Sequence, residues 1–183
     1  MHMKSLLVTF LALCLMLASC SKDDELVFEI SENTVPVPSK YNKVSATEFK
    51  NLFIGYGWEE AETHKINTDG TINKNDYWKE MIGGGPSIYE FSDSLIIDYF
   101  WAGDIPANVS VPYTYTYNEA TNAVYYENGI FWFSIVSASA TEIKIIKNLS
   151  PFSLYVTLKR LSASELEQVK NSHTPYDQVE RHN

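Results

Sequence analysis

Five acids in the middle of the chain, Glu59, Glu60, Glu62, Glu90 and Asp98, are the residues best suited by type to acid-base chemistry. A pair of them facing each other across a cleft would supply the proton donor and the base or nucleophile of glycoside hydrolysis, and their separation in space decides which. Acids on strands and turns are otherwise solvated faces. No arrangement of Ser, His and acid supports nucleophilic catalysis, so the expectation is that this is not an enzyme. His64, His173 and His182 lack metal-ligand spacing, and the two cysteines, Cys14 and Cys20, do not complete a ligand set, so neither a metal nor a cofactor is expected. Gly83-Gly84-Gly85-Pro86 lacks the following Lys and Ser or Thr of a phosphate cradle and reads as a flexible loop.

Aromatic side chains are the better candidates for binding. Trp58, Tyr99, Trp101, Tyr113, Tyr115 and Trp132 could line a cavity or stack on sugar rings, since each joins a large apolar face to a polar handle. Aromatics at alternate strand positions are also ordinary core, and both readings stay open. Asp93-Ser94-Leu95 matches a short bacterial O-glycosylation signal at Ser94.

These residues sit in a series of short strands separated by turn signals, the pattern of a β-sandwich or barrel. Asp69-Gly70, Ser92-Asp93-Ser94, Asn118 to Asn122 and Asn128-Gly129 mark the turns. Val111 to Tyr117 alternates apolar and polar residues, which predicts a half-buried strand. Ile130 to Val136 is apolar at both parities, so both faces need cover, either from a C-terminal helix packed outside or from an interior cavity. Two helices are predicted from capping boxes: Ser45 with Glu48, followed by Phe49, Leu52 and Phe53, and Ser162 with Glu165, followed by Leu166 and Val169.

The first residues carry an address. Lys4 precedes an apolar run from Leu6 to Leu17, too short for the roughly 20 residues of a membrane-spanning helix, so residues 1–19 read as a signal peptide. Leu17-Ala18-Ser19-Cys20 resembles the lipobox of bacterial lipoproteins, which implies cleavage before Cys20 and lipid on its thiol. Ser21, Lys22, Asp23, Asp24 and Glu25 resemble the acidic surface-export signal of one group of diderm bacteria. The implied location is the outer membrane, lipid-anchored and facing the cell surface, with its periplasmic face as the alternative. Removing residues 1–19 leaves 164 residues, one domain's worth, with 13 basic against 23 acidic side chains and a formal charge of −10. Nucleic acid is a poor partner for such a chain. Residues 20–44 are expected to form a flexible acylated tether of about 25 to 30 Å, with a short strand around Leu26, Phe28 and Ile30 as the alternative. Residues 45–170 form the domain and 171–183 a disordered tail.

Taken together, three stretches resemble the lipocalin-like domains of bacterial surface lipoproteins. They are the short helix running into Gly57-Trp58 and the Asp69-Gly70 hairpin; Tyr115 to Tyr126; and Phe133-Ser134-Ile135 through Ala140-Thr141-Glu142-Ile143 to Tyr155-Val156-Thr157-Leu158-Lys159-Arg160. Where lipocalins carry Gly two residues before the first-strand Trp, this chain has Tyr56. The resemblance implies an all-β, eight-stranded antiparallel barrel flanked by a short helix at each end of the chain. It further implies non-enzymatic binding of a small apolar or glycan ligand or a partner protein, or else a structural subunit with a filled barrel.

Overall fold

A computed structural model describes residues 28–29, 37–38, 40–80, 85–103, 107–149 and 151–179. The fold class is all-β, a closed eight-stranded barrel of lipocalin-like architecture. Its strands are β3 (Gly57–Lys65), β4 (Ile88–Phe91), β5 (Leu95–Ala102), β6 (Ala107–Asn118), β7 (Ala123–Tyr126), β8 (Ile130–Ala138), β9 (Glu142–Leu149) and β10 (Phe152–Arg160). Each pairs antiparallel with the next in sequence, and β10 returns to β3 to close the ring. Two short strands precede the barrel, β1 (Phe28–Glu29) and β2 (Val37–Pro38), and β11 (Thr174–Pro175) follows it. Among the described residues no helix is long and apolar enough to cross a membrane.

Up-and-down connectivity gives the barrel two unlike ends. The β4–β5, β6–β7 and β8–β9 turns lie at one end with helix α1 (Ala46–Phe53). Ser45 caps α1 by the predicted capping box, which orients Phe49 and Phe53 into the barrel. There they pack on Phe91, Phe133, Trp58 and Tyr117, with Phe53 fully buried. Each such ring removed from water stabilises the fold by about 1.5–3 kcal/mol. Gly55 follows the helix at a φ of 79°, a conformation that strains any residue with a Cβ. Arg160 stacks on the Tyr56 ring at 3.2 Å, so the position that departs from the lipocalin pattern carries a cation–π contact at the closure point.

The opposite end, called the mouth below, receives the β3–β4, β5–β6, β7–β8 and β9–β10 connections. The β3–β4 connection contains a short helix, α2 (Tyr77–Glu80), which tucks Tyr77 into the core. Lys65 lies over the Tyr77 and Phe152 rings at 5.1 and 4.3 Å.

Three expectations are corrected by the packing. The C-terminal helix, α3 (Ala163–Ser172), does not cover β8. Its Leu166 sits on Gly57, where an added Cβ would come within 2.7 Å of a Leu166 methyl, and its Lys170 bonds Glu90 at 2.6 Å, so α3 lies outside β3 and β4. The outer face of β8 is covered instead by chain expected to be tether. Phe28 is buried against Val136, Ile146, Tyr155 and Ile66, and Asn42 donates its amide to the Val136 carbonyl. Apolar surface on β8 to β10 accounts for this docking, and the Gly70 turn admits it: the Phe28 amide donates to the Gly70 carbonyl at 2.9 Å. Gly70 has a φ of 84°, and a Cβ there would collide with the Phe28 carbonyl oxygen. Likewise the tail expected to be disordered from residue 171 is ordered through 179. Thr174–Pro175 pairs in parallel with Val109 and Ser110 of β6, and His173 packs edge-on against Tyr99.

Candidate functional site

Inside the barrel, toward the mouth, the apolar core gives way to a layer of charged and polar groups. Alternation on β3 turns Trp58 and Glu60 inward, and a bulge around Ala61 then brings Thr63 to the same face. On β4 the inward residues are Tyr89 and Phe91; on β5, Ile96 and Asp98; on β9, Ile143, Ile145 and Lys147. Trp58 pairs with Tyr89, and Tyr89 with Asp98, so the three form one row across three strands.

Glu60 is the fully bonded member of this layer. One carboxylate oxygen accepts from the Tyr89 hydroxyl and from Lys147 at 2.9 Å, while the other accepts from the Trp78 indole at 3.1 Å and the Ser87 amide at 3.3 Å. Lys147 also donates to the Tyr89 hydroxyl at 2.6 Å. Burial acts to discharge Lys147, but Glu60 and Asp98 outweigh it and hold the ammonium above its usual range. Tyr89 is pushed well up by burial and by the two carboxylates, so its phenol stays a donor to Glu60. Four hydrogen bonds, one of them from the Lys147 ammonium, make Glu60 an anchor for Trp78 of α2.

Asp98 differs. Its side chain is partly exposed, yet Oδ1 is buried and has no partner within the protein. Burial raises its pKa from 3.8 to about 7; Lys147 and Ser87 oppose the shift and Glu60 adds to it. Two further buried polar atoms are likewise unpartnered, Trp58 Nε1 and Thr63 Oγ1. Of these three, Asp98 Oδ1 is the one on a residue that is not fully buried.

Three rings border the same layer. Trp132 meets Tyr89, Tyr113 and Tyr126 edge-on, at 5.7, 5.6 and 5.0 Å between centroids, and Tyr113 stacks on Tyr126 at 5.6 Å. A β7–β8 bulge lets both Trp132 and its neighbour Phe133 contribute to the core, which accounts for the apolar run at both parities. Burial, with Asp98 and Tyr126 nearby, raises Tyr113.

Of the six aromatic candidates, Trp58, Tyr113 and Trp132 therefore gather around the polar layer. Tyr115 points inward at the α1 end, donating to the Ser92 carbonyl at 2.8 Å. Tyr99 faces outward beneath α3, bonded to Glu90 at 2.8 Å, and Trp101 is exposed on the outside of β5. Among the acids, Glu60 and Asp98 converge; Glu59 and Glu62 face outward, and Glu90 is engaged by Lys170. His64 Nδ1 donates to the Asn75 carbonyl at 3.1 Å. Ser94 is exposed in the β4–β5 turn. Cys20, Ser21, Lys22, Asp23, Asp24, Glu25 and residues 81–84 of the glycine-rich loop lie outside the described residues.

Sequence reasoning missed Tyr89, Tyr126, Trp78 and Lys147. Lys147 had a signal, because it continues the inward series Ile143, Ile145 at a two-residue step. Also missed was Asn122, which at a φ of 55° ties three segments together: its oxygen accepts from Val44 and Tyr117, and its nitrogen donates to Asn42 and Ile135. Beside it, an outer groove of about 340 Å³ runs between Pro38, Tyr41, Tyr125 and Phe131.

Comparison with protein-family models, with curated proteins and with solved structures finds no match to this chain. The site's chemistry therefore rests on its own residues. Among the described residues no group of three or more His, Cys, Asp or Glu is placed to hold a metal.

Proposed function

We propose that this chain is a surface-anchored lipoprotein whose barrel binds a small ligand at the mouth end, without catalysis. The observation that carries this reading is Asp98, whose buried Oδ1 has no partner, beside the rings of Tyr113, Tyr126 and Trp132. A carboxyl with an unpartnered oxygen beside aromatic rings suits a hydroxyl-bearing, glycan-like ligand better than a purely apolar one. Ring faces take its C–H surface while the carboxyl takes a hydroxyl.

The alternative, an accessory subunit with a filled barrel, draws support from the tight packing of Phe53, Trp58, Phe91 and Phe133 at the α1 end. The meeting of Glu60 and Asp98 in one cluster is what a carboxylate-dependent enzyme would require. Against that use, Glu60 already accepts four hydrogen bonds, leaving one carboxylate with free lone pairs where glycoside hydrolysis uses two.

Native mass spectrometry of the protein purified from its own host tests the binding reading. A retained mass that is lost in Asp98→Asn supports it, while a bare acylated chain in both forms favours the filled barrel. Export is tested separately by replacing Asp23 and Asp24 with Ala and exposing intact cells to protease. Unchanged exposure would reject the role of the acidic cluster.

A further inference from the structure

Among the described residues, the polar layer inside the barrel is one cation short. Two carboxylates face inward there, Glu60 from β3 and Asp98 from β5, against one ammonium, Lys147 from β9. Lys147 is engaged by Glu60 at 2.9 Å and by the Tyr89 hydroxyl at 2.6 Å. Lys65, the last residue of β3, lies over the Tyr77 and Phe152 rings and is not among the charges that act on Asp98. Ionised Asp98 is therefore a charge without a counter-ion, and its Oδ1 has no hydrogen-bond partner. Burying such a carboxylate is costly, so the protein by itself supplies the missing positive charge as a proton. Burial raises the carboxyl's pKa to about 7, against the pull of Lys147.

Aromatic rings stand beside this charge. Asp98 pairs with Val111 across β5 and β6, which sets Tyr113 at the diagonal position on the same face. The carboxylate is close enough to help raise the Tyr113 phenol, after burial. Tyr113 stacks on Tyr126 of β7, and Trp132 of β8 meets the two edge-on, at 5.6 and 5.0 Å between centroids. Asp98, Tyr113 and Tyr126 are partly exposed although they point inward, whereas Trp58, Ile96, Phe133, Ile143 and Ile145 are sealed. The close packing of the interior thus ends at the layer where the carboxyl and the rings meet.

A carboxylate beside aromatic faces is the recognition chemistry of an organic ammonium: the carboxylate accepts an N–H, and the negative ring faces attract the remaining charge. A neutral hydroxyl would satisfy Oδ1 but leave the charge unbalanced, and an anion would meet two carboxylates. A hard metal cation takes about six oxygen ligands, more than one free carboxylate offers. We infer that the ligand of this barrel carries a protonated amine, which pairs with Asp98 beside Tyr113, Tyr126 and Trp132; an amino sugar or amino polyol is the class that joins such a group to a hydroxyl-bearing body. This inference rests on the proposed binding at Asp98 and narrows it. Ammonium and proton compete for one carboxylate, so binding displaces the Asp98 proton and weakens in acid. Glu60, Tyr89, Tyr113, Tyr126 and Lys147 face Asp98 from β3, β4, β6, β7 and β9. Of these, Tyr89, Tyr113 and Lys147 are shifted upward, away from the interval in which Asp98 titrates.

Three polyols that differ at one end test this: N-methyl-D-glucamine, which keeps its ammonium at pH 8, neutral D-glucitol and anionic D-gluconate. Each is titrated into the purified full-length protein and into Asp98→Asn at pH 6 and pH 8, with binding read from tryptophan fluorescence. The Asp98 carboxyl carbon is followed by NMR in the native protein. The expected result is saturable binding of the amine, about tenfold tighter at pH 8 than at pH 6, because the ionised fraction of a carboxyl with a pKa of about 7 changes by that factor. Bound amine should also lower the Asp98 midpoint, and Asp98→Asn should abolish the pH dependence. Glucitol binding as tightly as the amine, indifferent to pH, would overturn the inference and leave the hydroxyl-binding reading standing. Tighter binding of gluconate than of the amine would overturn it likewise. No saturable binding of any of the three would overturn both.

Discussion

Replacing Asp98 by Asn should stabilise the protein at neutral pH and remove part of its pH dependence. The folded chain holds the Asp98 proton with a pKa of about 7 in place of 3.8, which corresponds to tighter proton binding by up to about 4 kcal/mol. Partial exposure and coupling to Lys147 reduce this to about 2–4 kcal/mol. The sign follows from proton uptake: between about pH 4 and 7 the folded state binds the proton that the unfolded state has released, so stability falls as pH rises through that window and levels off above it. Asn does not titrate and carries no charge to desolvate. Urea unfolding, followed by tryptophan fluorescence from pH 4 to 8, should therefore show the variant and native curves close together at the acid end. At pH 8 the variant should be more stable by roughly 2–4 kcal/mol. Exposed acids such as Glu48 and Asp69, held low by Ser45 and Thr71, act in both proteins and cancel in the difference. Parallel pH profiles, or a variant less stable at pH 8, would refute the reasoning.

Lys147→Met leaves Glu60 buried without its cation and should cost about 3–5 kcal/mol in the same unfolding assay, much of it recovered when Glu60→Gln is added. Gly70→Ala should undock the leading strand, which hydrogen exchange would report as lost protection at the Phe28 amide while the barrel strands keep theirs. Ser45→Ala removes a capping box and should lower stability by about 1 kcal/mol, with Ser162→Ala behaving alike; no change in either midpoint would mean that the helix ends are held by packing alone.

Much of the barrel was legible because its signals are local. The two capping boxes placed α1 and α3, the odd-even alternation of Val111 to Tyr117 gave a half-buried strand, and Gly70 and Gly129 fell in turns at positive φ. Pairings between distant segments were not legible. The apolar outer face of β8 announced that something covers it, but Phe28 and Leu166 are both short apolar anchors, and no local pattern says which of them docks there. The site was hidden for a related reason. Asp98 and Glu60 come together only through the register of β3, β4 and β5, and the bulge at Ala61 shifts which later residues of β3 face inward. What the pattern did offer was polarity out of place: a Lys after Ile143 and Ile145, and a Glu two positions after a buried Trp. Charged residues on an apolar stripe point to a partner inside, and here the partners were each other.

The central claim is that Asp98 is a carboxyl held inside the barrel with one oxygen unpartnered, and its side-chain carbon titrated by NMR tests that most directly. A midpoint near 7 is predicted. A midpoint near 4, the value of a solvated or fully bonded carboxylate, would contradict the account.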